Sequence, residues 1–280
     1  MYPVVLAVGI MAFLGVGFAI GLFVASQKFK VEADPRIEQV LEVLPGANCG
    51  ACGYGGCSAA AEAIVKGEVD VTACPVGGSE VARLIADIMG VEVKEMEREV
   101  AVVKCRGKNV AFRYVYDGLR DCRAAVLVQG GPKLCEYGCI GFGTCVEVCN
   151  FDAIRMGEDG LPVVDEDKCV GCRACEKACP LGIIEVLPEK KYVHVLCRSH
   201  DKGVRVTKVC DYGCIGCKKC EKECKFDAIH VENFLATIDY SKCTNCGKCV
   251  KVCPMGIIKN FRKERRERQK AKEQAAAPAG

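Results

Sequence analysis

The distribution of hydrophobic and polar residues separates an uncharged beginning from a mixed remainder. Residues 1–27 contain no Asp, Glu, Lys or Arg, and residues 3–26 are largely apolar. As a helix, residues 3–26 would be about 36 Å long, enough to cross a hydrocarbon core of roughly 30 Å. Gly17 and Gly21 form a G-x-x-x-G pattern, which lets another membrane helix approach closely. The pattern therefore predicts one transmembrane anchor over residues 1–27.

A cleaved signal peptide is the alternative for this segment, but it would have a positively charged beginning and a shorter apolar run. Lys28 and Lys30 follow the apolar run at once. By the positive-inside rule they place the rest of the chain in the cytoplasm. We therefore expect a single-pass protein of the inner (cytoplasmic) membrane, with its remaining domains on the cytoplasmic side.

Beyond the anchor, the apolar positions predict short elements. Residues 58–66 and 79–89 have the spacing of helices, and Gly90 is a typical residue to follow the second one. Residues 163–165 and 237–239 are predicted as short strands. Helices and strands that are this short indicate a fold of the α+β class.

Composition changes the picture, because 24 of the 280 residues are cysteine and only three are histidine. In a reducing cytoplasm, so many cysteines indicate metal or cluster ligands and not disulfides. So few histidines exclude a His-rich metal site. The 39 basic and 36 acidic residues give a formal charge of +3. This balance lacks the excess of positive charge that is typical of nucleic-acid-binding proteins, so no nucleic-acid partner is expected.

The cysteines fall into groups of defined spacing. The first group has the pattern C-x2-C-x4-C-x16-C among glycines, which let the backbone wrap closely around an inorganic core. Three more groups have the C-x2-C-x2-C-x3-C spacing of bacterial ferredoxins. They begin at Cys169, Cys214 and Cys243. Structural zinc is the alternative, but zinc ribbons use two well-separated C-x2-C pairs.

A fifth group is incomplete. It contains Cys139, Cys145 and Cys149, and Phe142 stands where the second ligand should be. We expect Cys135, which lies upstream of the group, to replace the missing ligand. The alternative is a three-iron cluster with an open corner.

An internal repeat explains the layout of the second half. Residues 133–141 recur as residues 208–216 at an offset of 75, and the same offset relates Cys122 to Cys197. This half is therefore predicted to be a tandem duplication of a two-cluster ferredoxin-like module. The predicted domains are a transmembrane anchor (1–27), a small helical four-cysteine [4Fe–4S] domain (28–100), module 1 (101–192), module 2 (193–261) and a charged tail (262–280).

In two-cluster ferredoxins the fourth cysteine of each run binds the other cluster. This rule predicts five [4Fe–4S] clusters. Their ligands are Cys49, Cys52, Cys57 and Cys74 (cluster 1); Cys135, Cys139, Cys145 and Cys179 (cluster 2); Cys149, Cys169, Cys172 and Cys175 (cluster 3); Cys214, Cys217, Cys220 and Cys253 (cluster 4); and Cys224, Cys243, Cys246 and Cys249 (cluster 5). Four cysteines remain, either as ligands of a sixth cluster or as free thiols: Cys105, Cys122, Cys197 and Cys210.

No motif for an organic substrate is visible. The chain has no dinucleotide-binding or phosphate-binding glycine loop and no catalytic triad, so no catalytic residue is predicted. A row of one-electron centres without such a site is an electron relay. The alternative from a different functional class is an assembly scaffold that is held together by structural zinc and has no redox activity.

Taken together, the uncharged N-terminal helix, the four-cysteine motif and the ferredoxin modules resemble the B subunits of the Rnf (Rsx) ion-translocating electron transport complex. The resemblance covers nearly the whole chain. It is most specific in residues 44–49, Leu-Pro-Gly-Ala-Asn-Cys, and in the stretch that continues to Cys74-Pro75. The chain departs from short family members, which have one ferredoxin module, by its second module and extra cysteines.

The resemblance implies membership of a membrane-bound, ion-translocating ferredoxin:NAD+ oxidoreductase. In such a complex this subunit would take electrons from reduced ferredoxin and pass them to partners that carry the flavins and the NAD site. The expected partners are thus the other membrane and peripheral Rnf subunits, soluble ferredoxin and the membrane. The alternative is a cluster-bearing anchor subunit of another membrane reductase or hydrogenase.

Overall fold

The computed structural model describes residues 2–28, 34–93 and 97–276. The predicted N-terminal helix is confirmed as α1, Tyr2–Lys28. Its Gly9–Ser26 window is the one stretch among the described residues that is long and apolar enough to cross a membrane, and none of it is buried against the rest of the protein. Lys30, the second positive residue after the apolar run, lies outside the described residues.

Three helices form the small domain that follows: α2 (Pro35–Val43), α3 (Cys57–Val65) and α4 (Gly78–Met89). The two helices predicted here are confirmed as α3 and α4. Asp34 caps α2 by accepting a hydrogen bond from the Arg36 N–H at 2.9 Å. Gly90 ends α4 in the left-handed region, with φ of 69°, as the sequence predicts. The apolar faces of the helices meet in a core that includes Val40, Ile64 and Ile85.

The rest of the chain contains the same order of elements twice. Module 1 has β1 (Glu99–Val103), α5 (Cys122–Val126), α6 (Thr144–Glu147), β2 (Ile154–Met156), β3 (Pro162–Val164), α7 (Ala174–Ala178) and β4 (Ile184–Pro188). Module 2 has β5 (Val193–Val195), α8 (Gly203–Val209), α9 (Lys219–Glu223), β6 (Ile229–Glu232), β7 (Leu235–Ile238), α10 (Lys248–Val252) and β8 (Ile258–Asn260). The first strand of module 1 thus begins at residue 99, just before the predicted boundary at 101.

Each module is built from two antiparallel strand pairs. In module 1, β1 pairs with β4 and β2 pairs with β3. In module 2, β5 pairs with β8 and β6 pairs with β7. The strands predicted near residues 163 and 237 are confirmed as β3 and β7. Because the first and last strands of a module pair, its cysteine loops are held between a closing pair and a central hairpin.

A buried polar cluster lies where the two modules meet. The Lys104 ammonium is 3.0 Å from the Glu185 carboxylate and donates to the Tyr240 hydroxyl at 3.2 Å. The ring of His194, which is fully buried, lies with its Nδ1 2.8 Å from the same hydroxyl. Burial, with a smaller contribution from Lys104, lowers the pKa of His194 to about 3. The imidazole is therefore neutral at physiological pH.

The charged tail is not a free arm along its whole length. It forms α11, Arg262–Ala276, and its first turns pack on module 1. Arg265 donates to both carboxylate oxygens of Glu166, and Arg268 lies 3.0 Å from the same carboxylate. The side chains of Arg265 and Glu166 are only 9% and 11% exposed. This buried ion pair joins the end of the described chain to module 1.

Candidate metal centres

The cysteines of predicted cluster 1 lie together in the structure. Cys49, Cys52, Cys57 and Cys74 line one cavity, which we call site 1. Asn48 shapes the loop by accepting a hydrogen bond from the Cys57 N–H at 2.8 Å. The loop between α2 and α3 therefore carries two of the four cysteines, the first residue of α3 is the third, and the segment before α4 carries the fourth.

The cysteines of predicted clusters 4 and 5 also lie together. Cys214, Cys217, Cys220 and Cys253 (site 4) line one cavity. For the last set, burial raises the pKa of Cys249 to about 11, and the thiols of Cys243, Cys246 and Cys224 add to the rise. These four cysteines are site 5. In both sites three of the cysteines belong to one run and the fourth belongs to the run of the other site.

The cysteines of predicted cluster 3 are neighbours in the same way. Burial raises the pKa of Cys172, and the Cys149 and Cys169 thiols raise it further. Burial likewise raises the pKa of Cys175 to about 12, with contributions from Cys169 and Cys172. The four cysteines are site 3. Ala101 of β1 donates its N–H to the Cys169 sulfur at 3.4 Å, so this site lies against the closing strand pair.

The structure differs from the sequence prediction at cluster 2. One cavity is lined by Cys122, Cys139, Cys145 and Cys179. We call this group site 2. Burial raises the pKa of Cys145 to about 11, and among the neighbouring thiols Cys122 contributes most. Cys135, the expected substitute, lines a different cavity.

An inserted segment explains why Cys122 and not Cys135 belongs to site 2. The Cys139 N–H donates to the Cys105 sulfur, and the Cys214 N–H donates to the Cys197 sulfur, so Cys105 and Cys197 are the equivalent residues of the two modules. These pairs are separated by 34 residues in module 1 and by 17 in module 2. The extra residues of module 1 include Cys122. The sequence offset of 75 holds for Cys139 and Cys214, but it matched Cys197 with Cys122 although the structural counterpart of Cys197 is Cys105.

The insertion also explains why Phe142 stands where the sequence pattern would have a cysteine. Its ring packs against Tyr116, with ring centroids 5.4 Å apart, and the Arg120 guanidinium lies over it at 5.7 Å. Two residues after Arg120, α5 begins at Cys122, whose N–H donates to the buried Thr144 hydroxyl at 2.8 Å. The segment that covers the aromatic ring thus also delivers the fourth cysteine. The unequal spacing within the two halves was the sequence signal for this exchange.

The remaining cysteines also converge. Cys105, Cys135, Cys197 and Cys210 line one cavity between the modules, which we call the linking site. Burial raises the pKa of Cys135 to about 12, and the Cys105, Cys197 and Cys210 thiols add to the rise. The sequence left over four cysteines, and the structure gathers four, with Cys135 in the place of Cys122.

Backbone amides point at several of these sulfurs. The N–H groups of Ala153, Ile183 and Ala228 donate to the sulfurs of the cysteines four residues before them, at 3.3–3.4 Å. Such donors stabilise thiolates and tune the potential of an iron–sulfur cluster. Burial has the opposite effect on the unligated thiols, whose pKa it raises. Metal binding at these sites therefore releases protons.

The spacing of the groups fits a cluster better than a single ion. Across the described ranges 2–28, 34–93 and 97–276, no three His, Cys, Asp or Glu side chains are placed to share one metal ion. The cysteines instead line cavities that each gather four thiols among apolar side chains. Zinc with four thiolates needs a compact tetrahedron with Zn–S bonds of about 2.3 Å. Four thiols around such a cavity, with amide donors to sulfur, fit a [4Fe–4S] cluster.

Three family models match the segments that carry these sites. A model for an Fe-S cluster matches residues 44–76, which contain site 1. Models for a 4Fe-4S dicluster domain match residues 138–183 of module 1 and residues 213–272, which begin in module 2. The matches therefore agree with iron–sulfur binding in all three parts of the chain.

Curated relatives resemble the chain over most of its length. The chain is 49% identical to the B subunit of the Na(+)-translocating ferredoxin:NAD(+) oxidoreductase complex of Acetobacterium woodii, over 91% of this chain and 77% of the relative. It is 50% identical to the B subunit of the ion-translocating oxidoreductase complex of Methanosarcina acetivorans, over 87% of this chain and 94% of the relative. The chain belongs to the family of Rnf-type B subunits. A third member, the B subunit of the proton-translocating ferredoxin:NAD(+) oxidoreductase complex of Clostridium ljungdahlii, is 41% identical over 99% of both chains.

Membership of this family confirms the resemblance that the motifs carry. The family spans relatives that differ in the ion they are named for, since one is described as Na(+)-translocating and one as proton-translocating. Family membership therefore does not fix the coupling ion of this chain.

Proposed function

We propose that this chain is the iron–sulfur electron-transfer subunit of a membrane-bound, ion-translocating ferredoxin:NAD+ oxidoreductase. The observation that carries the proposal is the grouping of twenty cysteines into five sets of four (sites 1 to 5) in a chain of the Rnf-type B-subunit family. The chain would act as one subunit of an oxidoreductase and would have no organic-substrate site of its own. Flavin and NAD binding would belong to partner subunits.

The residues of each site would hold a [4Fe–4S] cluster, which takes up and releases one electron when it is bound. The cysteine sulfurs hold it, and the N–H donors described above offset the negative charge of the thiolates. Apolar walls such as Ile140, Met156 and Ile184 at site 2 exclude water. Burial and N–H donors both adjust the reduction potential of a cluster, and both differ from site to site.

The groups succeed one another through the molecule. The Cys49 thiol of site 1 contributes to the raised pKa of Cys172 in site 3, so these two sites are neighbours. Likewise Cys145 of site 2 contributes to the raised pKa of Cys175 in site 3. Sites 4 and 5 share runs of cysteines and lie in module 2. This succession supports a relay between the small helical domain and module 2.

Module 2 offers a surface for a soluble electron donor. Cys217 of site 4 and Cys246 of site 5 are the two exposed cysteines among those described. Exposed lysines follow Cys217 just before, on and just after α9: Lys218, Lys219, Lys222 and Lys225. We call these four the lysine patch. A ligated cubane carries about −2, so a ferredoxin that exposes its cluster edge would meet favourable charge here.

The proposal also includes the position of the chain in the cell. Helix α1 would cross the inner membrane once, and the cluster domains would lie on the cytoplasmic side, where a soluble ferredoxin has access. The exposed apolar surface of α1 supports contact with lipid or with membrane subunits of the complex. Lys28 at the end of α1 supports this orientation.

Metal analysis of the full-length chain tests the function. We expect at least about 20 iron and 20 sulfide per chain, because sites 1 to 5 would each hold about four of both, with little zinc and with EPR signals of reduced clusters after dithionite treatment, in protein purified anaerobically in detergent. In the Cys249→Ala variant we expect a loss of up to about four iron, because site 5 loses one of its ligands. The Thr244→Ala variant alters an exposed residue of the same loop and should keep all its iron. Near-zero iron with five or six zinc would overturn the electron-transfer function.

Charge reversal tests the donor surface. In the Lys219→Glu/Lys222→Glu variant we expect the rate of reduction by reduced ferredoxin to fall about tenfold at low ionic strength, because attraction accelerates encounter. The difference should shrink as salt is added. The control variant Lys66→Glu/Lys263→Glu reverses two exposed lysines elsewhere and should keep the wild-type rate. Equal losses in both variants, or a loss that salt does not change, would contradict docking at the lysine patch.

A further inference from the structure

The linking site has the construction of the other sites although no ferredoxin run predicts it. Its four cysteines come from two places in each module, one just after the first strand and one just before a cysteine loop. Cys105 and Cys197 follow β1 and β5, and Cys135 and Cys210 precede the loops that begin at Cys139 and Cys214. Both Cys105 and Cys210 have their sulfurs within 4 Å of the Cβ position of Gly107, at 3.9 and 3.2 Å. A larger side chain at residue 107 would therefore obstruct this group.

The contacts around the linking site repeat across the boundary between the modules. Arg106 of module 1 donates to the Gly256 carbonyl of module 2, and its guanidinium lies over the Tyr212 ring at 4.7 Å. In the opposite direction, the Arg198 guanidinium of module 2 lies 3.5 Å from the Cβ position of Gly182 in module 1. The linking site thus lies in an interface with approximate two-fold symmetry, to which each module contributes two cysteines.

The linking site also has the electrostatic features of a cluster site. Two backbone amides donate to the Cys197 sulfur, those of Ser199 and Cys214, at 3.4 and 3.3 Å. Arg106 and Arg198 line the same cavity together with Asp201, and Lys104, which also lines it, is paired with Glu185. Four thiolates around an iron–sulfur core carry a net negative charge, which the two arginines would offset.

The linking site is in contact with residues of site 2 in module 1 and of site 4 in module 2. The Cys139 N–H of site 2 donates to the Cys105 sulfur, and the Cys214 N–H of site 4 donates to the Cys197 sulfur. One hydrogen bond therefore joins the linking site to a ligand residue of each module. We infer that Cys105, Cys135, Cys197 and Cys210 hold a sixth [4Fe–4S] cluster that connects the two modules electronically. This inference rests on the proposed electron-transfer function and adds the connection that the five predicted clusters lack.

The step at the linking site is one-electron exchange. A reduced site in one module is oxidised as it gives one electron to the linking site, and the linking site is reoxidised when the same electron passes to the other module. No bond is formed or broken. Without a redox centre between sites 2 and 4, the electron would have to cross the interface in a single longer transfer.

Native mass spectrometry of the full-length chain, combined with iron and zinc analysis, tests the inference. We expect the wild-type chain to carry about 24 iron, because six cubanes contain four each. The Cys135→Ala/Cys210→Ala variant should carry about 20. The matched control Cys122→Ala/Cys145→Ala, which changes site 2, should also carry about 20, and the variant with all four changes about 16. Additive losses show that Cys135 and Cys122 belong to different clusters.

Several results would overturn the inference. A wild-type count of about 20 iron would leave the four cysteines as thiols while the proposed function stands. One zinc that disappears in Cys135→Ala/Cys210→Ala, with iron unchanged, would make the linking site a structural zinc site. Equal iron in the quadruple variant and the Cys122→Ala/Cys145→Ala variant would return Cys135 to site 2. If the Cys135→Ala/Cys210→Ala chain misfolds and loses iron everywhere, the wild-type count of 24 or 20 decides. Near-zero wild-type iron would overturn the proposed function as well.

Discussion

Removal of iron and sulfide is expected to abolish the fixed tertiary structure of both modules. Their helices between residues 122 and 252 have four to seven residues, and their sheets have two strands each, so neither is stable by itself in water. Ligand cysteines form part of the cores: Cys169 and Cys175 in module 1, Cys214 and Cys220 in module 2. Cluster binding therefore supplies folding free energy, as it does in other small metal-dependent domains.

The measurement is anaerobic extraction with a chelator and an oxidant, followed by circular dichroism and dye binding in detergent. We expect loss of the cooperative thermal transition and exposure of apolar surface, while helix α1 keeps its signal. Acid should favour the same loss, because protons compete with iron for sulfurs such as Cys139 and Cys220, whose thiol pKa is raised to about 12 by burial. An iron-free chain that retains the wild-type transition would contradict this dependence.

Loss of the Glu166 carboxylate is expected to release the C-terminal helix. In Glu166→Ala the Arg265 guanidinium stays buried without its counter-charge, although it still donates to the Lys191 carbonyl at 3.0 Å. Breaking a buried pair by removing one partner costs about 3 kcal/mol or more. Since about 1.4 kcal/mol is a factor of ten, local opening of the first turns of α11 should become about a hundredfold more frequent.

Hydrogen exchange of peptides that cover residues 261–270 measures this opening in the cluster-loaded chain. The control is Glu158→Ala, which changes an exposed carboxylate of the same module and should leave the exchange unchanged. Iron content should be the same in both variants, since neither residue is near a sulfur by the contacts described. Wild-type exchange rates in Glu166→Ala would show that Glu166 does not hold the helix in place.

The sequence predicted those parts of the site whose ligands are close together in the chain. Runs such as 214–224 specify a loop and a short helix locally, so three ligands of a site follow from spacing alone. The sequence likewise predicted the helices α3 and α4 and the strands β3 and β7, because hydrophobic periodicity and glycine signals are local features of the chain.

The exchange of Cys122 and Cys135 was not predictable by the same reasoning. An offset of 75 gives the correct match of Cys135 with Cys210 but a false match of Cys122 with Cys197. The false match arises because Cys122 lies 17 residues before Cys139, the same separation as that between Cys197 and Cys214. The structural counterpart of Cys197 is Cys105, which lies 34 residues before Cys139. Only the matching N–H donors to sulfur show that Cys105 is the true counterpart of Cys197. The linking site depends on packing between modules, which spacing within one module does not encode.

The short connection between α1 and α2 limits how far site 1 can lie from the end of α1. Helix α1 ends at Lys28 and the cap of α2 is Asp34, six residues later. A chain of six residues spans at most about 20 Å when it is fully extended. If α1 crosses the membrane, the small helical domain cannot diffuse away from the bilayer, and its local concentration beside a membrane-embedded partner is fixed by this tether. Electron exchange at site 1 would then proceed at a rate that does not depend on protein concentration in the cell, whereas exchange at the lysine patch would follow the supply of its soluble donor.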